Sequence, residues 1–335
     1  MMDYEIFKAV VKENFLQYMP EEYRTAEVNI HTVKKVNRTQ DVLSVLGEDS
    51  RLFSSIYVDE MYEVYRECGN LDMVLRAAAW KYAQSEDLLG ERQMEMPMWI
   101  EHFKDNVIMC LINTEQNREL LTGIPSREFQ DLSVIYRLVV KSYPEAIESV
   151  IVSDKMAETA GMTEDELFRY AVENTRRMYP VSVTCMGDLF GEIPEGISLP
   201  QEAREEMEII KRTAEKMWII SNSLGIYGAT SMLYEENLHQ LAEKLGENLF
   251  ILPSSINEVI AIPEEMAEKD MTHMVETVQS VNMGNVELEE RLSNSVYHYD
   301  RNARKVTLAA ESPEKRLDGK QQAELPLIQE DKRQR

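Results

Sequence analysis

Apolar side chains in the first twenty residues recur at helical spacing. Phe7, Val10, Val11, Phe15 and Tyr18 fall on one side of a run that Pro20 closes, which predicts an amphipathic helix over residues 3–19. Such a helix has to cover a second apolar layer. Residues 26–36, 41–46 and 52–58 supply one, being β-branched or alternating segments separated by polar turns such as Gly47-Glu48-Asp49. Residues 59–67 then read as helix, Gly69-Asn70 break the pattern, and Leu71, Val74, Leu75, Ala78 and Tyr82 form the stripe of another helix. The first ninety residues thus predict an α-β-β-β-α-α region. Residues 85–97 lose periodicity around Gly90 and serve as a linker.

A larger α+β region is expected over residues 98–310. Residues 107–112 are apolar throughout and fit a short strand or a helix end, while 132–140 and 148–153 read as strands about the Tyr143-Pro144 turn. Thr163 and Glu166 have capping-box spacing and open a helix that runs to Met178, before Pro180. The stretch 187–200, bearing glycine and proline, is expected to be loop. A helix from Pro200 then presents Ala203, Met207, Ile210, Ala214 and Met217 on one face. Two hairpins follow within 217–262: residues 217–221 with 227–233 about Asn222-Ser223-Leu224-Gly225, and 249–252 with 256–262 about Pro253-Ser254-Ser255. Between them Leu238, Leu241, Ala242 and Leu245 mark a helix that Gly246 caps. Ala267, Met271, Met274, Val275 and Val278 mark another, and 296–300 with 305–308 make a last hairpin. The expected fold class is α+β, with antiparallel sheets built from hairpins and covered by amphipathic helices.

Composition narrows the function classes. The formal charge of −24 arises from 60 acidic against 36 basic residues, and residues 311–335 hold six of each, so the net acid sits in the body. Phosphate backbones and anionic lipids are disfavoured partners, because binding them needs a basic stripe. The tail, highly charged and poor in aromatics, is expected to be disordered. No basic-then-apolar leader opens the chain and no apolar run approaches membrane-spanning length, so a cytoplasmic setting is expected. Cys68, Cys110 and Cys185 are far apart and read as buried small hydrophobes in a reducing compartment.

Candidate chemistry is sparse. Ser254 and Ser255 sit in a turn between strands, but no G-x-S-x-G elbow accompanies them. Glu236-x-x-His239 is half of a helical di-metal arrangement, and Asp270, His273 and Glu276 project opposite an apolar stripe, as a solvated face does. Neither predicts a metal site. No glycine-rich phosphate loop occurs, so no cofactor is expected; the 20 methionines fall largely on core stripes.

The segments Arg127-Glu128-Phe129-Gln130-Asp131-Leu132, Glu173-Asn174-Thr175, Ser221-Asn222-Ser223 with Tyr227-Gly228-Ala229, residues 251–260 and Val296-Tyr297-His298-Tyr299-Asp300-Arg301 together resemble a domain-of-unknown-function family abundant in gut Clostridia such as Lachnospiraceae. The order of helix, hairpin and late strands is more weakly similar to the uncharacterised YtpQ-like proteins of Bacillus relatives. The resemblance implies a bacterial, cytoplasmic protein and supplies no activity or cofactor. It also implies histidine in relatives where this chain has Asn257, a departure that removes the local base for a serine nucleophile.

Two functions remain, with a third as background. The first is a non-catalytic binding or adaptor protein for an unknown protein or small molecule. The second is a hydrolase or transferase whose polar groups converge only in the fold, around Ser221, Asn222, Ser254, Ser255, Asn257 and Glu258. A mobile-element or phage-associated role is the third.

Overall fold

The computed structural model describes residues 1–46, 56–89, 102–190, 200–267 and 270–319. Its architecture is α+β with antiparallel sheets, as the sequence predicts. The helix Tyr4–Asn14 starts at Asp3, whose carboxylate accepts from the Ile6 amide. A 3-10 turn, Phe15–Tyr18, continues it. Strands β1 (Glu27–Lys35), β2 (Arg38–Leu46) and β3 (Ile56–Tyr57) form a sheet in that order. Of the expected third strand, residues 52–55 lie outside the described residues, and Val58 already opens the helix Val58–Cys68. Gly69 ends that helix at a φ of 65°, where glycine carries no side-chain penalty. The next helix, Leu71–Leu89, runs into the expected linker, whose residues 90–97 lie outside the described residues. Phe7, Phe15, Leu43, Leu75 and Tyr82 are at the centre of the core these elements share.

In the body, β4 (Val107–Asn113), β5 (Ser126–Phe129), β6 (Leu132–Ser142) and β7 (Ile147–Ile151) form a sheet with β6 in the middle. β4 pairs with one side of β6, while β5 and β7 pair with successive parts of the other. Every residue of β4 is buried, which is why its sequence is apolar without alternation. β5 was not foreseen, because four mixed residues ahead of a tight Gln130-Asp131 turn give almost no period. The second sheet runs β13-β12-β10-β11-β9-β8, with β8 at Val181–Cys185, β9 at Trp218–Asn222, β10 at Leu249–Pro253, β11 at Val259–Pro263, β12 at Val296–Asp300 and β13 at Lys305–Ala310. The 249–262 and 296–308 hairpins form as predicted.

One face of each sheet contributes to a common core. Met109, Tyr136, Ile220, Ile251 and Tyr297 meet there beneath the helices Glu164–Met178 and Glu235–Leu245. The far face of the six-stranded sheet is covered by the helix Met271–Asn285 through Met274, Val275 and Val278. The capping box is present: the Thr163 hydroxyl accepts from the Glu166 amide and the Glu166 carboxylate from the Thr163 amide. Thr163→Ala is expected to cost about 1 kcal/mol of stability, read as a lower urea midpoint with unchanged slope.

Three expectations are corrected. Residues 227–233 are not the second strand of a hairpin; Tyr227 is left-handed, with a φ of 54°, and Gly228–Leu233 is a 3-10 helix. The reason is that β9 is already paired on both edges, by β8 and β11, so residues 227–233 have no strand edge to join. The helix Gln201–Ala214 forms where predicted, but its stripe is not core. Met207 and Ile210 are 42 % and 47 % exposed and only Ala214 is buried, since among the described residues the helix packs chiefly on the short 3-10 turn Met186–Leu189 after β8 and not on a sheet face. Residues 311–319 follow the body rather than leaving it: Leu317 is buried, its amide donates to Gln116 Oε1 and its carbonyl accepts from Arg291. Residues 320–335 lie outside the described residues.

The turn between β1 and β2 is inserted into the body. Asn37, left-handed at a φ of 63° and 1 % exposed, donates through Nδ2 to the carbonyls of Leu288 and Arg291. Its amide donates to Asn117 Oδ1, and its carbonyl accepts from Gln116 Nε2.

Candidate functional site

The polar turns singled out in the sequence do come together. The Ser221 hydroxyl donates to the Asn257 carbonyl at 2.7 Å, and the Ser255 hydroxyl accepts from the Asn257 amide at 3.0 Å. Asn257 Oδ1 accepts from the Tyr227 amide at 3.0 Å, and its Nδ2 donates to Glu290 at 3.2 Å. Asn222 folds its own turn, accepting from the Leu224 and Gly225 amides and donating to the Ile226 carbonyl. Gly228 packs against this knot so closely that a Cβ on it would lie 2.2 Å from Ser221 Oγ. These groups therefore hold backbone, as Ser and Asn in turns commonly do. Ser254 and Glu258 are half-buried beside them without a side-chain hydrogen bond among the described residues, and burial pushes the Glu258 carboxyl pKa up.

The other sequence candidates are dispersed. Glu236 pairs with Arg176 at 2.7 Å, and Asp270 caps its helix by accepting from the Thr272 amide. Cys110 is buried, which pushes its thiol pKa to about 12, whereas Cys68 is exposed. Among the described residues no cluster of three His, Cys, Asp or Glu side chains is placed to hold a metal ion.

A cleft of about 240 Å³ opens between the two body sheets, where the β5–β6 turn faces the start of β12. Asp131, in that turn, lines it. Its Oδ2 accepts from Ser293 Oγ at 2.7 Å and Ser295 Oγ at 3.0 Å, and its Oδ1 from Tyr297 Oη at 2.5 Å. Burial, and then Asp131 itself, raise the Tyr297 hydroxyl pKa well above its usual value, so the phenol stays a donor. The two serine hydroxyls in turn accept from the amides of Ser295 and Ser312.

Two asparagines face the cleft from opposite sheets. Asn113, at the end of β4, is 3 % exposed, and its Oδ1 accepts from the Gln116 amide at 2.8 Å. Asn294, just before β12, is 4 % exposed, and its Oδ1 accepts from Asn282 Nδ2 at 3.2 Å. With both oxygens engaged, each Nδ2 has no acceptor among the described residues. Charged groups ring the mouth: Arg118 pairs with Glu115 and Lys315 with Glu311, while Glu128 is unpaired among the described residues.

The model of a family of unknown function, DUF5688, matches residues 4–301. The chain belongs to DUF5688. No curated protein and no solved structure matches the chain. The DUF5688 segment includes Asn113, Asp131 and Asn294, whereas the outer wall of the cleft at Glu311, Ser312 and Lys315 lies beyond it. Asp131 and the start of β12 fall in or beside stretches that carried the family resemblance, but their meeting depends on two sheets joining 160 residues apart in sequence, with Ser293 separated from Asp131 by 162. A signal was present in Ser293-Asn294-Ser295, three small polar residues set between Leu292 and Val296, both fully buried. No helix among the described residues is long and apolar enough to cross a membrane.

Proposed function

We propose that this protein is a non-catalytic binding protein of the bacterial cytoplasm that holds a small polar solute in the cleft between the body sheets. The observation that carries the reading is the pair of nearly buried asparagines, Asn113 and Asn294, which line the cleft and whose Nδ2 atoms have no acceptor among the described residues. Each nitrogen is open to the cleft, so a solute that supplies oxygen there exchanges a water for a direct hydrogen bond, a net gain of about 0.5–1.5 kcal/mol apiece. The hydrolase alternative draws less support, because the Ser221 and Ser255 hydroxyls bond to backbone, and the Ser293 and Ser295 hydroxyls share one oxygen of a carboxylate that also takes the Tyr297 hydroxyl, with no histidine or lysine beside them among the cleft residues except Lys315, which pairs with Glu311.

An adaptor role fits the same place. Gln116 and Asn117, which grip Asn37 of the N-terminal region, sit between the cleft residues Glu115 and Arg118. Equilibrium dialysis of the pure protein against a mixture of small polar metabolites is expected to retain one chemical class without consuming it. Asn294→Ala should weaken that retention about tenfold, the equivalent of roughly 1.4 kcal/mol for one hydrogen bond. Retention that ignores the substitution, or steady consumption of the solute, would overturn the reading.

A further inference from the structure

We infer that the cleft takes a small organic cation, a primary ammonium carried within a few bonds of a neutral oxygen acceptor. This assignment rests on the binding reading above and adds the charge and class of the solute.

The oxygen requirement comes from the two asparagines. The Asn113 amide is oriented by a backbone N–H, which can only meet its oxygen. Asn294 is oriented by Asn282 Nδ2, itself identified as the nitrogen because it also donates to the Ser293 carbonyl at 2.8 Å. Both therefore present N–H groups. Neither nitrogen is sealed inside the protein, so the space each reaches is the cleft that its residue lines. N–H donors lining one cleft select a carbonyl, hydroxyl or ether oxygen.

The charge requirement comes from the rim. Arg118 and Lys315 are neutralised at 2.6 Å and 2.9 Å by Glu115 and Glu311. Asp131, Glu128 and Glu314 then remain around the same cleft with no cationic partner among the described residues. Asp131 is supplied only with hydroxyls and Glu314 only with the Gln279 amide. Such an excess repels a carboxylate or phosphate and attracts an ammonium. The carboxylates do not converge into a group that could hold a metal ion, which favours an extended organic cation over a bare one. A volume of about 240 Å³ corresponds to roughly eight waters at about 30 Å³ each, the size of an amino-acid or monosaccharide unit rather than a nucleotide.

Two sources share this chemistry, amino sugars and the N-terminal unit of a peptide, and matched probes separate them. The full-length protein is titrated calorimetrically with glucosamine, glucose and glucuronate, and with alaninamide and N-acetylalaninamide, while the side-chain amide signals of Asn113 and Asn294 are followed by NMR. An ammonium probe is expected to bind about tenfold more tightly than its neutral counterpart at low ionic strength and to shift both amide signals. The preference should shrink several-fold in Glu128→Gln, which removes an exposed, unpaired charge, and in high salt. Binding by glucosamine alone or alaninamide alone identifies the source. A neutral or anionic probe that binds as well as the cation overturns the charge assignment and leaves the binding reading standing. If none of the probes shifts the two amide signals, both fall.

Discussion

Replacing Gly228 with alanine is expected to remove on the order of 3 kcal/mol of stability, a large fraction of what a domain has. The added Cβ would lie 2.2 Å from Ser221 Oγ, 2.4 Å from the Asn257 carbonyl oxygen and 2.8 Å from the Asn222 amide nitrogen. Two of these neighbours are backbone, so rotating a side chain cannot relieve the clash. Moving Asn257 would also break its bonds to Ser221, Tyr227 and Glu290. Urea unfolding should show a lower midpoint for Gly228→Ala. Gly284→Ala is the control: its Cβ meets nothing within 4 Å and it lies in a helix, where alanine is favoured by up to about 1 kcal/mol. Equal midpoints for the two variants would show that the polar turns are not held by this close approach.

The same glycine marks where sequence reading succeeds and where it stops. Elements governed by local chemistry were legible: the capping box at Thr163, the αL glycine at 246 and the turn at Pro253-Ser254-Ser255 each depend on residues close in the chain. Residues 227–233 were misread because their β-like composition was outweighed by a tertiary fact, that both edges of β9 are occupied. The helix Gln201–Ala214 shows a related limit. Its apolar period is genuine, but periodicity fixes which residues share a face and not whether that face is covered.

Function was divided in the same way. Ser221, Asn222, Ser255 and Asn257 were found from turn signals and are indeed neighbours, but the groups that make turns legible are those whose hydrogen bonds are used up in making them. The unpaired donors at Asn113 and Asn294 are invisible locally. Each looks like an ordinary end-of-strand asparagine until the opposite sheet is in place.

Asp131→Ala is expected to destabilise the protein by about 3 kcal/mol, because it orphans three hydroxyl donors on residues that are 0–2 % exposed. The loss would not stay local. Asp131 sits in the β5–β6 turn of the four-stranded sheet, its donors lie in and just before β12 of the six-stranded one, and the Ser295 hydroxyl that it orients accepts from the Ser312 amide beyond β13. A double-mutant cycle with Tyr297→Phe separates this account from simple loss of packing. In the parent protein Tyr297→Phe removes one hydrogen bond to a charged acceptor and should cost about 1–2 kcal/mol. In Asp131→Ala the phenol has already lost its charged acceptor and keeps only the neighbouring Ser293 hydroxyl, so the same substitution should cost markedly less. If Tyr297→Phe costs the same in both backgrounds, the carboxylate is not the acceptor on which the junction depends. The loss of that cost would locate the joint between the sheets at Asp131, in the lining of the cleft, so that substituting the aspartate perturbs the fold as well as any ligand, whereas Asn294 and Glu128 report on binding.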